Sequence, residues 1–524
     1  MKSTTKNLVM VVMLALLLIL GSVMIVMTIQ KTANEEVVYA DAPAWTGKGS
    51  GAKGDPFLIT TAEELGLFRD RVNSTGSVGE NHAVLANDIT LPDEEWTPIG
   101  IQVSASICPF KWIFDGNGHT IRGLKHTTAS DTYVGLFGYV SSTAEIRNVT
   151  VEGDGLVGRD CVGGIAGFIT GSVDTTGDTD IEYKAKIINC HNYVPINGNN
   201  NVGGIVGKSQ YSVEIVCCSN HAEVKSDNQT NPSSDSGCVG GIVGYAYGRR
   251  FEAHQITNTF TSIQNCYNDG KVTAKDVVIS ETTYHPSKIG GLIGAVYYYA
   301  GITNSFNYES VTADAGATNL GAIVGYKVTN THTASASNTY YRTIEGSATE
   351  VSTIATAHNA DWFTAKGNFS NWDFSNTWQM LENASYPTYL PPLDIYIDGH
   401  RVAAGIQRQE IGDYGWSYSR TSKTLTLGQG NYAFRTGSPT WIPTIYIEED
   451  DITIYIYNAV RINITNDGEN LTSCAIYSKG DLNITGFNDS YRMEIDSTEG
   501  VTKDFYGRVI GRGDILNSLI KYDK

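Results

Sequence analysis

The stretch Val202-Gly-Gly-Ile-Val-Gly207, preceded by Ile188-Asn-Cys-His-Asn192, decides the fold, because both phrases recur. The first returns as Gly135-Leu-Phe-Gly138, Gly164-Ile-Ala-Gly167, Gly241-Ile-Val-Gly244, Gly291-Leu-Ile-Gly294 and Gly321-Ala-Ile-Val-Gly325. Four copies carry a further glycine in front (Gly163, Gly203, Gly240 and Gly290), and the final glycines are spaced by 29, 40, 37, 50 and 31 residues. The second phrase alternates with it as Val216-Cys-Cys-Ser-Asn220, Gln264-Asn-Cys-Tyr-Asn268 and Thr303-Asn-Ser-Phe-Asn307, with an earlier copy at Ile146-Arg-Asn-Val-Thr-Val151. A unit of this length offers two or three short strands, too few to bury a face alone. Stacked on its neighbour, each strand pairs in parallel with its counterpart and the apolar side chains join into one column. The sequence therefore predicts an all-β chain built on a right-handed parallel β-helix, with glycines serving tight corners through positive φ. Uneven spacing predicts insertions that leave the stack as loops on one face, the 50-residue interval with Arg249-Arg250 and His254 among them.

Repetition also assigns side chains. Asn192, Asn220, Asn268 and Asn307 share one position, which predicts a stacked amide ladder at a corner, a place where asparagine also tolerates left-handed backbone. Cys190, Cys218 and Cys266 share another, occupied by Ser305 in the next copy, so a small buried thiol is expected there. Cys161 and Cys238 share a third, two units apart, too far to bridge if the register holds. Stacked free thiols are the expectation, with a Cys190–Cys218 bridge between adjacent rungs left open. Tyr139, Phe168, Tyr245 and Tyr326 each follow the last glycine of a repeat and predict an aromatic ladder on the flank. Tyrosines also stack on sugar faces, and on that ground Tyr245, Tyr247, Tyr297, Tyr298 and Tyr299 are the candidate ligand-binding residues.

Of 524 residues, 41% are hydrophobic and 18% charged, and the formal net charge is −18. A chain this acidic lacks the concentrated basic surface that nucleic-acid phosphates require, and it does not favour anionic membranes. Lys2 and Lys6 precede an apolar run from Leu8 to Ile29, and Val38-Tyr39-Ala40 presents small residues where a signal peptidase reads. Residues 1–40 are thus read as a cleaved signal peptide or an uncleaved anchor, and either places the remainder outside the cytoplasm, secreted or at the cell surface.

The repeats resemble the GLUG motif, named from streptococcal IgA-protease relatives and widespread in surface proteins of gut Firmicutes and Bacteroidetes. The likeness extends to Asp55-Pro-Phe-Leu-Ile-Thr60 with Ala62-Glu-Glu-Leu65, similar to the family's helical N-terminal cap. Leu85-Ala-Asn-Asp-Ile89, Trp96-Thr-Pro-Ile-Gly100 and Phe114-Asp-Gly-Asn-Gly-His-Thr-Ile121 are similar to its first coils. Trp372-Asp-Phe, Trp378 and Tyr386-Pro387 are similar to its closing segment. The resemblance implies a cap over 41–98 and a β-helix over 99–390. Beyond Pro391-Pro392 the repeat stops, and alternating strands such as Leu393-Asp-Ile-Tyr-Ile397, Thr424-Leu-Thr-Leu427 and Ile452-Thr-Ile-Tyr-Ile456 predict a second β-rich domain over 391–524. It resembles a domain found beside GLUG arrays and sometimes labelled carbohydrate-binding; a short solenoid and a β-sandwich both fit.

The family name invites a zinc-peptidase reading, yet none of the 10 histidines is followed by glutamate, so His-Glu-x-x-His is missing. A β-helix can also host a polysaccharide lyase or glycosidase with carboxylates on one face, and Asp115, Asp154, Asp160, Asp227 and Asp235 are the candidates for that alternative. Each reads more simply as a turn or solvated loop acid. Glu448-Glu-Asp-Asp451 reads as a solvated turn, and Arg512-Gly-Asp514 as a chance tripeptide. No catalytic, metal or cofactor residue is assigned. The expected function is adhesion to an extracellular glycan or a host or matrix protein.

Overall fold

The computed structural model describes residues 44–390 apart from 75–79, 104–105, 177–178, 228–236, 251–257, 280, 328–333, 351–353, 376 and 382, and beyond 390 the strands between 395 and 522. The first 43 residues, with the expected signal or anchor, lie outside the described residues, as do His254, Asp235, Glu448 to Asp451 and Arg512 to Asp514. No helix among the described residues is long and apolar enough to cross a membrane.

The chain winds through four parallel stacks of nine, nine, ten and six strands. One coil shows the route. Ala185–Ile188 lies in the first stack, His191–Asn192 in the second, Ile196–Gly203 in the third and Val206–Gln210 in the fourth. Val213–Val216 then pairs in parallel on Ala185–Ile188 and the next coil begins. The interior is a set of columns: Ile146, Ile187, Ile215, Ile263 and Ile302 in the first stack, and Val162, Val202, Val239 and Ile289 in the third. A single coil fully buries Ile187, Val194, Ile196, Val202, Ile205 and Val206. Each such side chain stabilises by roughly 1.5–3 kcal/mol, and only stacking removes it from water.

The N-terminal end is closed by a helix, Ala62–Asn73. Thr61 caps it, its hydroxyl accepting from the Glu64 N–H at 3.2 Å, while the Glu64 carboxylate accepts from Thr60 N at 2.6 Å. Leu65, Phe68 and Val72 are buried, with Phe68 against Phe57, Phe110 and Phe114. Phe57–Ile59 and Ala83–Leu85 already belong to the first stack, so the stacks run without a break across residue 98.

Three expectations need correction. The repeat glycines do not supply positive φ, since none of them is among the residues in that region. Gly204 shows what they supply instead: a Cβ there would meet the Gly241 carbonyl and the Asn220 amide well under 3.0 Å, so the coils approach too closely for any side chain. Left-handed backbone falls on a different column, Asn148, Asn189, Cys217, Asn265, Asn304 and Asn338, at the corner between the first and second stacks. Insertions leave from more than one place. The hairpins Ser172–Asp174 with Ile181–Tyr183 and Arg249–Arg250 with Asn258–Thr259 leave between the fourth and first stacks. Val277–Ile279 with Thr282–Tyr284 interrupts the third.

The amide ladder forms. Asn192 Nδ2 donates to Asn220 Oδ1 (2.8 Å), Asn220 to Asn268 (2.7 Å) and Asn268 to Asn307 (2.7 Å), each amide also donating to the carbonyl two residues on. Cys190, Cys218 and Cys266 stack beneath it as buried free thiols; all seven cysteines among the described residues are free, with no Cys190–Cys218 bridge. Burial pushes the Cys218 thiol well above its ordinary range.

Beyond residue 390, Thr424–Leu427, Ile452–Ile456, Leu482–Gly486 and Ile515–Leu516 pair in parallel as successive strands. Two further stacks climb with them, Ile445–Ile447 to Ile476–Ser478 to Val509–Gly511, and Gly430–Phe434 to Val460–Ile464 to Met493–Ser497. Parallel pairing at this spacing is a second, short solenoid rather than a sandwich.

Candidate binding face

The solvent side of the fourth stack carries the residue after each repeat's last glycine: Tyr139, Phe168, Lys208, Tyr245, Ala295 and Tyr326, in register. Tyr139 and Phe168 pack at 4.7 Å, but Lys208 and Ala295 break the expected ladder. Lys208 places its ammonium 5.0 Å from the Tyr245 ring, and Tyr297 fills the space over Ala295, 5.1 Å from Tyr245 and 5.9 Å from Tyr326. Lys288, 8% exposed, lies over both Tyr297 and Tyr326. The stripe is therefore aromatic with two cations laid on it.

The five candidate tyrosines divide. Tyr245 is 2% exposed, packed against Cys238 and Ala295, and presents no face to a ligand. Tyr247, Tyr297, Tyr298 and Tyr299 are half-buried at the corner where the fourth stack turns into the first. Tyr247 pairs in register with Tyr297 and meets the edge of Tyr298 at 5.5 Å, while Tyr211 approaches Tyr247 at 6.1 Å. Tyr211 and Tyr298 hold φ of 61° and 72°, a left-handed geometry that bulky residues rarely adopt. Sequence reasoning missed Tyr211, whose place directly after Gln210, at the corner that Tyr298 occupies two coils on, was the available signal.

The four described acids of the enzymatic alternative sit in separate surroundings. Asp115 is buried, accepting from Arg147 Nε at 2.9 Å and Asn148 Nδ2 at 3.0 Å, with Glu145 completing the pair on Arg147 at 2.6 Å. It sits at the expected turn, accepting from Asn117 N at 2.8 Å, and is at the same time an interior ion pair. Asp160 accepts from Asn201, and Asp227 faces Lys225 at 3.1 Å. Asp154 is exposed. Among the described residues no group of His, Cys, Asp and Glu is placed to hold a metal ion.

A second feature escaped sequence reading. Ser219 Oγ lies 2.8 Å from His221 Nε2, whose Nδ1 lies 2.8 Å from Asp269 Oδ1. These are the residue types of a hydrolytic triad, but Ser219 is fully buried and its hydroxyl also meets His191 Nδ1 at 2.8 Å, so no substrate reaches it. The closing segment covers this region. Trp378–Gln379 pairs antiparallel with Thr388–Tyr389, the Tyr386 hydroxyl donates to Asp269 Oδ2 (2.7 Å), and that of Tyr389 to the carbonyls of Cys218 (3.0 Å) and Asn265 (2.7 Å). Trp372, Trp378, Phe363 and Phe369 pack with Tyr267 and Phe306 of the second stack. Rather than only ending the solenoid, residues 359–390 form a strap along its side.

Fold and faces together define a parallel β-solenoid of Gly-Gly-aliphatic coils with an aromatic corner. The GLUG motif matches residues 235–273, the span holding Gly240-Gly-Ile-Val-Gly244 and Asn265-Cys-Tyr-Asn268. The chain is 24% identical to a protein of Evansella cellulosilytica described as "Putative Gly-rich membrane protein", over 76% of this chain and 51% of that protein. It is 25% identical to Halomucin of Haloquadratum walsbyi, over 34% of this chain and 2% of that protein. The chain thus spans about half the length of the first of these curated relatives and a small part of the second. Among solved structures it is similar to "a putative immunoglobulin A1 protease from Bacteroides ovatus", with a TM-score of 0.46 and 20% identity, over 65% of this chain and 94% of that one.

Proposed function

We propose that this is an exported bacterial surface protein whose solenoid is a rigid scaffold for binding an extracellular glycan or a host or matrix protein. The observation that carries the reading is the corner where Tyr247, Tyr297, Tyr298 and Tyr299 gather half-buried on adjacent coils. Rings held in place by stacked backbone lose little freedom on binding, and their faces suit the apolar side of a sugar ring. The apolar run from Leu8 to Ile29 supports export, and so do relatives described as a membrane protein and as Halomucin. The reading assigns no catalytic step. The short C-terminal solenoid is a second candidate for contact.

Arrays of glycans, mucins and matrix proteins probed with the full chain test it. Tyr247→Ala and Tyr298→Ala are each expected to weaken the retained signal by about tenfold, the worth of a lost stacking ring. Blank arrays, or binding that both substitutions leave intact, overturn the placement of the site.

A further inference from the structure

With one exception, each described glycine in the strands of residues 44–390 has either a positive φ or an atom within 3.0 Å of where its Cβ would stand. The exception is Gly301, in the first-stack strand Ala300–Thr303. Among the described residues, a Cβ there would meet only the edge of the Phe260 ring, at 3.8 Å, an ordinary contact. Its φ lies outside the left-handed region. The register Ser262, Gly301, Ser335 is unbroken, so no bulge is present, and serine stands on both neighbouring rungs. Glycine weakens the interior of a strand. Where no bend, bulge or backbone crowding asks for it, a ligand lying close to the backbone is the remaining reason.

The surroundings describe that ligand. Ala300 and Ile302 point into the core, so position 301 faces out. Ser262 and Ser335 stand one coil before and one coil after, roughly 10 Å apart at the ordinary spacing of paired strands. Gln264, Thr303 and Ser337 form the second outward file of the same three coils. Phe260, 43% exposed, closes the side where the chain arrives from the fourth stack. Tyr299 holds the equivalent place on the next coil, since each ring directly precedes a paired residue, Thr261 and Ala300. Lower on this face the chemistry differs. Lys186 and Glu214 occupy the file of Ser262, and Ile188 and Val216 that of Gln264, with Lys184 Nζ 2.8 Å from Glu214. The upper three coils carry no charged side chain in either file.

We infer that Gly301 is the floor of a subsite for a neutral polysaccharide, with one sugar ring seated on the bare backbone against Phe260. The inference rests on the glycan reading above and narrows it, to an uncharged chain lying on the first stack beside the tyrosine corner. A pyranose ring has an apolar face and a rim of hydroxyls. Phe260 offers the first an aromatic surface, and the hydroxyls of Ser262, Thr303 and Ser335 both donate to and accept from the second. A carboxylate or sulfate would find no cation in these files. A protein partner would find one ring where an interface core needs several apolar anchors. Nor can a peptide add as a strand, because Ala300–Thr303 is already paired on both sides. Tyr298 and Tyr299 directly precede this strand, so a glycan seated here continues onto the tyrosine corner.

Gly301→Ser separates binding from folding, since the neighbouring rungs already accept serine. The thermal midpoint of the full chain is expected to hold or rise, because the substitution also restricts the unfolded chain. Retention on neutral glucans and galactomannans is expected to fall about tenfold as the new side chain fills the seat, and Phe260→Ala to weaken it about as much, the worth of a lost stacking ring, while Phe260→Tyr keeps it. Polygalacturonate and heparin are expected to give no signal that Gly301→Ser removes.

A midpoint that falls in Gly301→Ser, showing that the glycine serves the fold, overturns the inference. So does neutral-glycan binding that Gly301→Ser leaves intact, or a protein that retains no neutral glycan. The two readings fail separately. Binding lost in Tyr247→Ala but kept in Gly301→Ser removes this subsite and leaves the tyrosine corner. Binding lost in Gly301→Ser but kept in Tyr247→Ala establishes the subsite and removes the corner.

Discussion

Replacing Asn220 by alanine should cost more than any exposed substitution in the solenoid, and the loss can be worked bond by bond. Its amide donates to the Ala222 carbonyl at 2.8 Å and to Asn268 Oδ1 at 2.7 Å, and its oxygen accepts from Asn192 at 2.8 Å. Asn192, Asn220 and Asn268 are 0% exposed, so no water takes over the abandoned contacts. A buried group left unsatisfied costs about 1–3 kcal/mol; Asn192 Nδ2 keeps a second bond, to the Val194 carbonyl, so the low end applies there, while Asn268 Oδ1 and the Ala222 carbonyl each lose the donor Asn220 supplied. The sum is about 3–5 kcal/mol. Asn220→Asp keeps the shape yet replaces the donor with a buried charge facing two acceptors, and should be worse at neutral pH and partly recover in acid as the carboxyl regains a donor. Solenoids unfold locally, so the measurement is amide exchange across His191–Asn192, Ser219–Asn220 and Tyr267–Asn268 beside a urea midpoint. If Asn220→Ala costs less than about 1 kcal/mol, or Asn220→Asp is the milder of the two, the ladder does not hold the coils as argued.

Gly204→Ala should fail to fold or lose several kcal/mol, roughly the scale of a forced backbone shift in a close-packed interior, whereas Gly367→Ala, with nothing within 4 Å, should leave the melting temperature unchanged. Arg147→Met strands Asp115 as an uncompensated buried charge and should cost roughly 3–5 kcal/mol by urea unfolding, most of it regained in Arg147→Met with Asp115→Asn. His191 is held neutral in the fold by burial, with its pKa lowered from 6.5 to about 3, so the unfolded chain binds the extra proton between those values. Its contribution is complete above pH 6.5 and is lost as pH falls toward about 3, and His191→Asn should flatten that part of a stability-against-pH curve.

The stacking was readable because it is a statement about identity at repeated positions. Asn192, Asn220, Asn268 and Asn307 had to meet if the coils had any common register, and the cysteines beneath them followed for the same reason. Glycine was placed correctly but explained wrongly, since the crowding at Gly204 comes from a carbonyl one coil away that no local pattern announces. Contacts between different repeat positions were invisible. Arg147 reaching Asp115, Lys208 replacing a ring in the aromatic file, and Tyr386 returning 117 residues in sequence to Asp269 each depend on side-chain direction across coils. The tyrosine corner was half legible: clustering in sequence pointed to it, but Tyr245 lies on the same side of its strand as Tyr247 and is hidden by what packs around it, Cys238, Lys208 and Tyr297 from neighbouring positions.

The parallel stacks also decide how the molecule answers a mechanical load. Backbone hydrogen bonds between coils point along the long axis, so a pull spread evenly over the ends stretches many bonds at once. A pull delivered through the chain itself meets only the bonds of the outermost coil, which peels before its neighbour feels the force. Rupture would therefore proceed one coil at a time, at a force set by a single rung and nearly independent of the number of coils. At the far end, the strap bonded through Tyr389 to Cys218 and Asn265 would act as a brake, fastening the last rungs to ones deeper in the stack.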